Sequence, residues 1–104
     1  MIRPYMFYVY ILRSQIDKKF YIGYSGDLKR RFLEHNAGQV ISTSKRRPLD
    51  LVMYEAYQLK QDAQARERFF KTTKGKLQLR KQVTFYLLDK CRLGSVVEQV
   101  IGND

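Results

Sequence analysis

The run Phe7-Tyr8-Val9-Tyr10-Ile11-Leu12 constrains the fold more than any other part of the chain. Aromatic, β-branched and leucine side chains follow one another without a polar break, which favours an extended strand. In a strand, Phe7, Val9 and Ile11 share one face, while Tyr8, Tyr10 and Leu12 share the other. The whole apolar run, from Met6 to Leu12, is far too short to span a bilayer as a helix. A second short run, Phe20-Tyr21-Ile22-Gly23, follows the polar stretch Arg13 to Lys18, and the spacing suits an antiparallel hairpin.

Helical signals come next. Ser25-Gly26-Asp27 reads as a helix start with Asp27 as N-cap, and Leu28, Phe32 and His35 recur at helical spacing until Asn36-Ala37-Gly38 stops them. Gln39 to Pro48 is polar and basic, and is expected to be an exposed loop. Leu49 to Ala56 reads as a third strand. Gln61 to Lys71 reads as a helix with Ala63, Glu67 and Phe70 on one face, and Lys76 to Val83 as another after Gly75. Gly94-Ser95 is expected to break the chain before a short amphipathic helix carrying Val96, Val97, Val100 and Ile101. The order ββα, then β, then helices predicts an α+β domain with a small antiparallel three-stranded sheet flanked by helices.

At 104 residues one domain is expected. Residues 1–84 carry the strands and main helices, and residues 85–104 form a C-terminal tail, packed on the domain or used for docking. Cys91 is the only cysteine, so no disulfide forms within the chain. One cysteine and one histidine exclude a zinc-ligand set. The N-terminus lacks a secretory pattern, so the expectation is a cytoplasmic protein that does not enter the membrane.

Charge points to the partner. The chain carries 20 Lys and Arg against 10 Asp and Glu. Residues 1–84 hold 18 of the basic and 7 of the acidic side chains, a net +11, so the excess lies in the main domain. Such a domain attracts polyanions, because neutralising phosphates releases counterions. Nucleic acid is the expected partner.

Tyr8-Val9-Tyr10 followed by Tyr21-Ile22-Gly23 resembles the paired signature of the GIY-YIG nucleases. Tyr8 stands where the first half has glycine; the second half matches fully. Arg31 lies ten residues after Tyr21, as in the family helix, and His35 lies four further on, where several members carry histidine. Arg66-Glu67-Arg68 resembles the family's glutamate-bearing helix. The ordered set is most similar to small stand-alone bacterial proteins that resemble the N-terminal nuclease domain of the repair excinuclease, and covers about residues 6–84. Tyr24 departs from the Lys, Thr or Ser common after the second motif. The late asparagine of some members is missing between Glu67 and Leu93.

This resemblance implies a metal-dependent endonuclease that hydrolyses phosphodiesters, with DNA as the polymer and DNA repair as the setting. It implies Glu67 as ligand of one divalent ion, Mg²⁺ or Mn²⁺, and Tyr10 as proton acceptor from water. Tyr21 would orient the water or the metal shell, Arg31 would grip the phosphate, and His35 would assist proton transfer. The chemistry suits these residue types: hydrolysis needs an activated oxygen nucleophile, charge neutralisation and help for the leaving oxygen. Tyr10 serves as a base only if nearby cations lower its pKa from near 10. Arg30, Lys45, Arg46, Arg47, Lys71 and Lys74 are candidate nucleic-acid contacts, within a basic run that continues to Lys81.

Structural readings of the same residues stay open. Tyr10 and Tyr21 suit half-buried strand positions, His35 suits a helix C-terminus, and Glu67 can pair with Lys71 at i+4. A nucleic-acid-binding module without catalysis, or a protein-interaction domain docking through its tail, also fits the sequence.

Overall fold

A computed structural model describes residues 5–95. The elements run β1 (Phe7–Ser14), β2 (Phe20–Ser25), α1 (Leu28–Asn36), β3 (Leu49–Tyr57), α2 (Lys60–Phe70), α3 (Thr73–Gln82) and α4 (Thr84–Ser95). The fold is α+β, with one antiparallel three-stranded sheet in the order β2-β1-β3. Its longest apolar strand, β1, lies in the centre. Val9, Ile11 and Leu12 are wholly buried there, which explains why no polar residue interrupts the run.

Alternation along β1 divides the molecule into two cores. Val9 and Ile11 pack with Ala63, Phe70, Leu79 and Val83, so α2 and α3 cover that face. Tyr10 and Leu12 pack with Leu49, Tyr21, Leu28 and Phe32, so α1 covers the other. β1 pairs with β3 through a register shift between Ile11 and Leu12, where Met53 and Leu51 are successive partners. The extra residue in β3 keeps Leu51 opposite Leu12 and Tyr54 opposite Tyr10.

Helix ends explain the boundaries. Asp27 accepts from the Arg30 N–H at 3.1 Å and caps α1 as expected. Gly38 follows the helix at φ +82, a left-handed conformation that glycine adopts without strain. α3 starts at Thr73, earlier than the glycine-bounded expectation, because Thr72 caps it by accepting from the Gly75 N–H at 2.9 Å. Gly75 lies inside the first turn, where a Cβ would collide with the backbone of Phe69 and Phe70. Gly94 and Ser95 do not break the chain, since both belong to α4; one glycine costs a helix about 1 kcal/mol and is tolerated. The helix expected around Val96 to Ile101 lies outside the described residues.

The Gln39–Pro48 connection, expected as an exposed loop, is partly ordered and partly buried. Residues Ile41–Thr43 form a 3₁₀ turn, and Val40 and Thr43 are buried. Asn36 fixes its far end by donating to the Leu49 carbonyl at 2.9 Å and accepting from the Leu49 N–H at 2.8 Å. Buried Ser14 receives the Ile16 and Asp17 N–H groups and donates to the Arg46 carbonyl, so the loop is pinned to the hairpin. Beyond the sheet, Arg66 makes two bonds to Glu55 and one to Gln82, and lies 4.3 Å above the Phe70 ring. That bridge from β3 through α2 to α3 sets the rotation of α2 and so the direction of its next residue, Glu67. Among the described residues no helix is long and apolar enough to cross a membrane.

Candidate active site

The centre is the Tyr10 side chain. Tyr10 faces Gly23 across the β1–β2 ladder, and an added Cβ on Gly23 would overlap the Tyr10 ring. The ring therefore lies across the glycine of the second motif, and that motif requires glycine for a packing reason. Tyr21 flanks Tyr10 with ring centroids 6.4 Å apart, and the His35 ring meets Tyr21 at 5.0 Å.

His35 enters from α1, fully buried. Its Nε2 lies 2.8 Å from the Tyr10 hydroxyl and its Nδ1 lies 2.7 Å from Thr43 Oγ1. The surroundings assign the protons. Thr43 Oγ1 is free to accept from His35 Nδ1–H, since its own contact with the Val40 carbonyl is long at 3.5 Å. The Arg31 guanidinium, which only donates, lies beside the Tyr10 oxygen. The Tyr10 proton thus points to His35 Nε2, and the imidazole is neutral with its proton on Nδ1.

Electrostatics agree. Burial, with the neighbouring Arg31 charge, pushes the His35 imidazole down to about 4. Burial pushes the Tyr10 phenol up to about 12, against the pull of Arg31, while Tyr21 and Glu67 add to the rise. The condition for Tyr10 to act alone as a base, a pKa lowered by nearby cations, is therefore not met: desolvation outweighs the nearby cation. Arg31 remains more than a third exposed, and one arm bonds Glu34 at 3.1 Å.

Glu67 comes from α2, on the other side of the sheet, yet its charge reaches both Tyr10 and Tyr24. Ala63 and Phe70 are wholly buried on α2, while Glu67 is half-buried at the edge of their stripe. Its carboxylate meets Lys71 Nζ at 3.1 Å. Among the described residues no three His, Cys, Asp or Glu side chains converge on a metal position. One hard carboxylate suits Mg²⁺ or Mn²⁺, which keep most positions for water and phosphate oxygens.

The outer cations are less uniform than the sequence suggested. Arg30 is exposed and pairs with Asp27 and Glu34. Arg46 is held by Asp17 at 2.7 Å and by the Lys19 carbonyl, and this pairing draws the exposed Asp17 carboxyl down to about 2. Its guanidinium thus fastens the loop to the hairpin. Arg47 bonds the Ser44 carbonyl and covers Gly38. Lys45 and Lys74 are exposed. Thr43 and Gly23 are the members that residue reading did not assign; Thr43 lies in a polar Ser-Thr-Ser run with no signal of burial.

Comparison with known proteins follows the same residues. The model of the GIY-YIG catalytic domain matches residues 6–81. A UPF0213 protein from Pediococcus acidilactici is 39% identical over 77 residues, covering 71% of this chain and 78% of that protein. A UPF0213 protein from Streptococcus pyogenes is 40% identical over 72 residues, covering 68% and 77%. The solution structure of a UPF0213 protein from Bacillus halodurans is 34% identical, with a TM-score of 0.48 over 74% of this chain and 84% of that one.

Proposed function

The chain belongs to the GIY-YIG catalytic-domain family, and from that premise we propose that it is a metal-dependent endonuclease hydrolysing phosphodiester bonds, with DNA as its substrate. The supporting observation is the hydrogen-bonded series Tyr10, His35 and Thr43 laid across Gly23, with Arg31 beside the Tyr10 oxygen and Glu67 in electrostatic reach.

In this reading Arg31 turns its unused donors to the nonbridging phosphate oxygens. Water gives a proton to the Tyr10 oxygen as Tyr10 passes its own to His35 Nε2. The new imidazolium keeps Nδ1–H on Thr43. The water oxygen bonds to phosphorus as the bond to the leaving oxygen breaks. A neutral, buried His35 is a reluctant acceptor, and phosphate anion held at Arg31 eases the change by offsetting that cation. Tyr21, packed against both rings, orients the water. Glu67 would hold Mg²⁺ or Mn²⁺, which supplies Lewis-acid stabilisation of the phosphate and leaving oxygen when bound. Lys71, on the exposed side of its pair, leaves Glu67 for phosphate. Lys45, Arg47, Lys71, Lys74 and Arg30 steer the polyanion.

A binding module without catalysis is the second reading, favoured by the Glu67–Lys71 pair, which occupies the only carboxylate proposed for the metal. Nicking assays on plasmid, branched and single-stranded DNA, with Mg²⁺, Mn²⁺ or chelator, separate the two. Metal-dependent cleavage supports the enzyme. Binding without cleavage under any condition overturns it.

A further inference from the structure

A large cleft lies on the face away from the Tyr10 cluster, with a volume of about 890 Å³. Ile22 shows which face this is: it alternates with Tyr21 and Gly23 along β2 and packs in the core beneath α2 and α3. Arg13, Lys18 and Lys19 of the hairpin line one wall. Lys76 and Arg80 of α3 and Lys90 of α4 line the other, and no lining residue is acidic. Ile22, Leu79 and Leu87 form an apolar floor, with Phe20 at its side.

Six cations around one low-dielectric cleft concentrate positive potential. They are spread along it rather than gathered at a point. Lys76 and Arg80 are one turn apart on α3, about 6 Å along its axis. That spacing suits a chain of anionic groups better than one small anion.

We propose that this cleft is a second nucleic-acid track, holding a single-stranded part of the substrate; the inference rests on the nucleic-acid reading above. A duplex hides its base faces in the stack and offers only sugar and phosphate to an apolar floor. A single strand offers both phosphates for the walls and unstacked bases for the floor and Phe20. A run of cations along the chain also links the Glu67 helix to this cleft. No acidic residue occurs from Arg68 to Leu88, and Lys71, Lys74, Lys76 and Arg80 succeed one another from the Glu67 helix to the cleft wall. An acidic peptide would match the walls and floor but gives no reason for cations leading from the Glu67 pair.

The test measures binding in chelator, by fluorescence anisotropy, of single strands of about 10 and about 30 nucleotides and of a matching duplex. Wild type should bind the longer single strand most tightly. The exposed double substitution Lys76→Glu with Arg80→Glu should weaken that binding roughly tenfold or more and flatten its salt dependence. Lys76→Arg with Arg80→Lys should restore it, and circular dichroism checks the fold of each. Unchanged binding in the charge-reversed protein, or a wild-type preference for duplex, overturns the track and leaves the nuclease reading intact. Displacement of the long strand by polyglutamate at equal charge assigns the cleft to acidic peptide and also overturns it. A wild-type protein that binds no nucleic acid overturns both.

Discussion

The Tyr10 ring lies flat across Gly23 of the neighbouring strand, filling the space that any β-carbon there would need. A glycine of the family signature is thus the bed of the tyrosine in the other half of that signature.

Gly23→Ala should therefore displace Tyr10 or strain β2. Overpacking of this kind costs about 1–3 kcal/mol, and cleavage should fall with it because the hydroxyl leaves His35. Gly26→Ala is the control, since the nearest atom to its Cβ would be Phe7 Cδ1 at 3.9 Å. Thermal melts and nicking rates of the two variants check this; equal behaviour would remove the packing role of Gly23.

Tyr10→Phe should do two things. It removes the proton relay, and general acid–base groups contribute about 10²–10⁴ in rate. It also strips buried His35 Nε2 of its donor, which costs about 1–3 kcal/mol. Tyr21→Phe should keep the stability. Full activity in Tyr10→Phe, measured with metal present, would exclude Tyr10 from proton transfer.

Acid should destabilise this protein through His35. Its folded pKa lies at about 4, below the 6.5 of a free histidine. Between those values the unfolded chain binds more protons, so stability falls as pH drops from 6.5 and stops falling from this source below 4. The full span amounts to about 3 kcal/mol at about 1.4 kcal/mol per unit. His35→Gln should start less stable and lose the slope in that window. Melting temperature against pH checks it; a flat wild-type profile there contradicts the burial of a neutral imidazole.

Much of this was legible in the sequence. The alternation of Val9 and Ile11 with Tyr10 and Leu12 gave the two faces, and the Asp27 cap gave the start of α1, because both are local signals. The four-residue spacing of Arg31 and His35 placed both on one helix face, which had to meet the sheet; that it meets Tyr10 is seen in the structure. Thr43 was not legible: its burial follows from a tertiary contact with His35, and it sits in a polar run beside exposed Ser42. The pairing of Arg46 was not legible for a similar reason, since Asp17, its partner, is 29 residues away and lies on the hairpin. Whether Arg31 would lower the Tyr10 pKa was not legible either, because Arg31 could be seen in the pattern and the depth of burial could not.

Arg46 and Lys45 should consequently behave differently. Lys45→Ala should lower the slope of log affinity against log salt by about 0.9, the value of one phosphate contact on duplex DNA. Arg46→Ala should instead loosen the loop from the hairpin and lower the melting temperature, with little change in slope. Salt titrations beside melts distinguish these, and a larger slope change for Arg46 than for Lys45 would return Arg46 to the nucleic-acid surface.

Glu67→Ala should abolish cleavage and leave binding unchanged or slightly tighter. Its ion pair with Lys71 is largely open to water on the lysine side, and such pairs contribute about 0–1 kcal/mol, so the fold should survive. Losing the carboxylate frees the Lys71 ammonium for phosphate and removes one negative charge from the surface that meets a polyanion. Arg31→Ala should differ, losing cleavage and affinity together, because its proposed partner is the phosphate itself. The measurement is nicking with Mg²⁺ or Mn²⁺ beside binding in chelator for both variants. Glu67→Ala that nicks as fast as wild type would take the metal role away from Glu67. A matching loss of binding would show instead that the carboxylate organises the surface through Lys71.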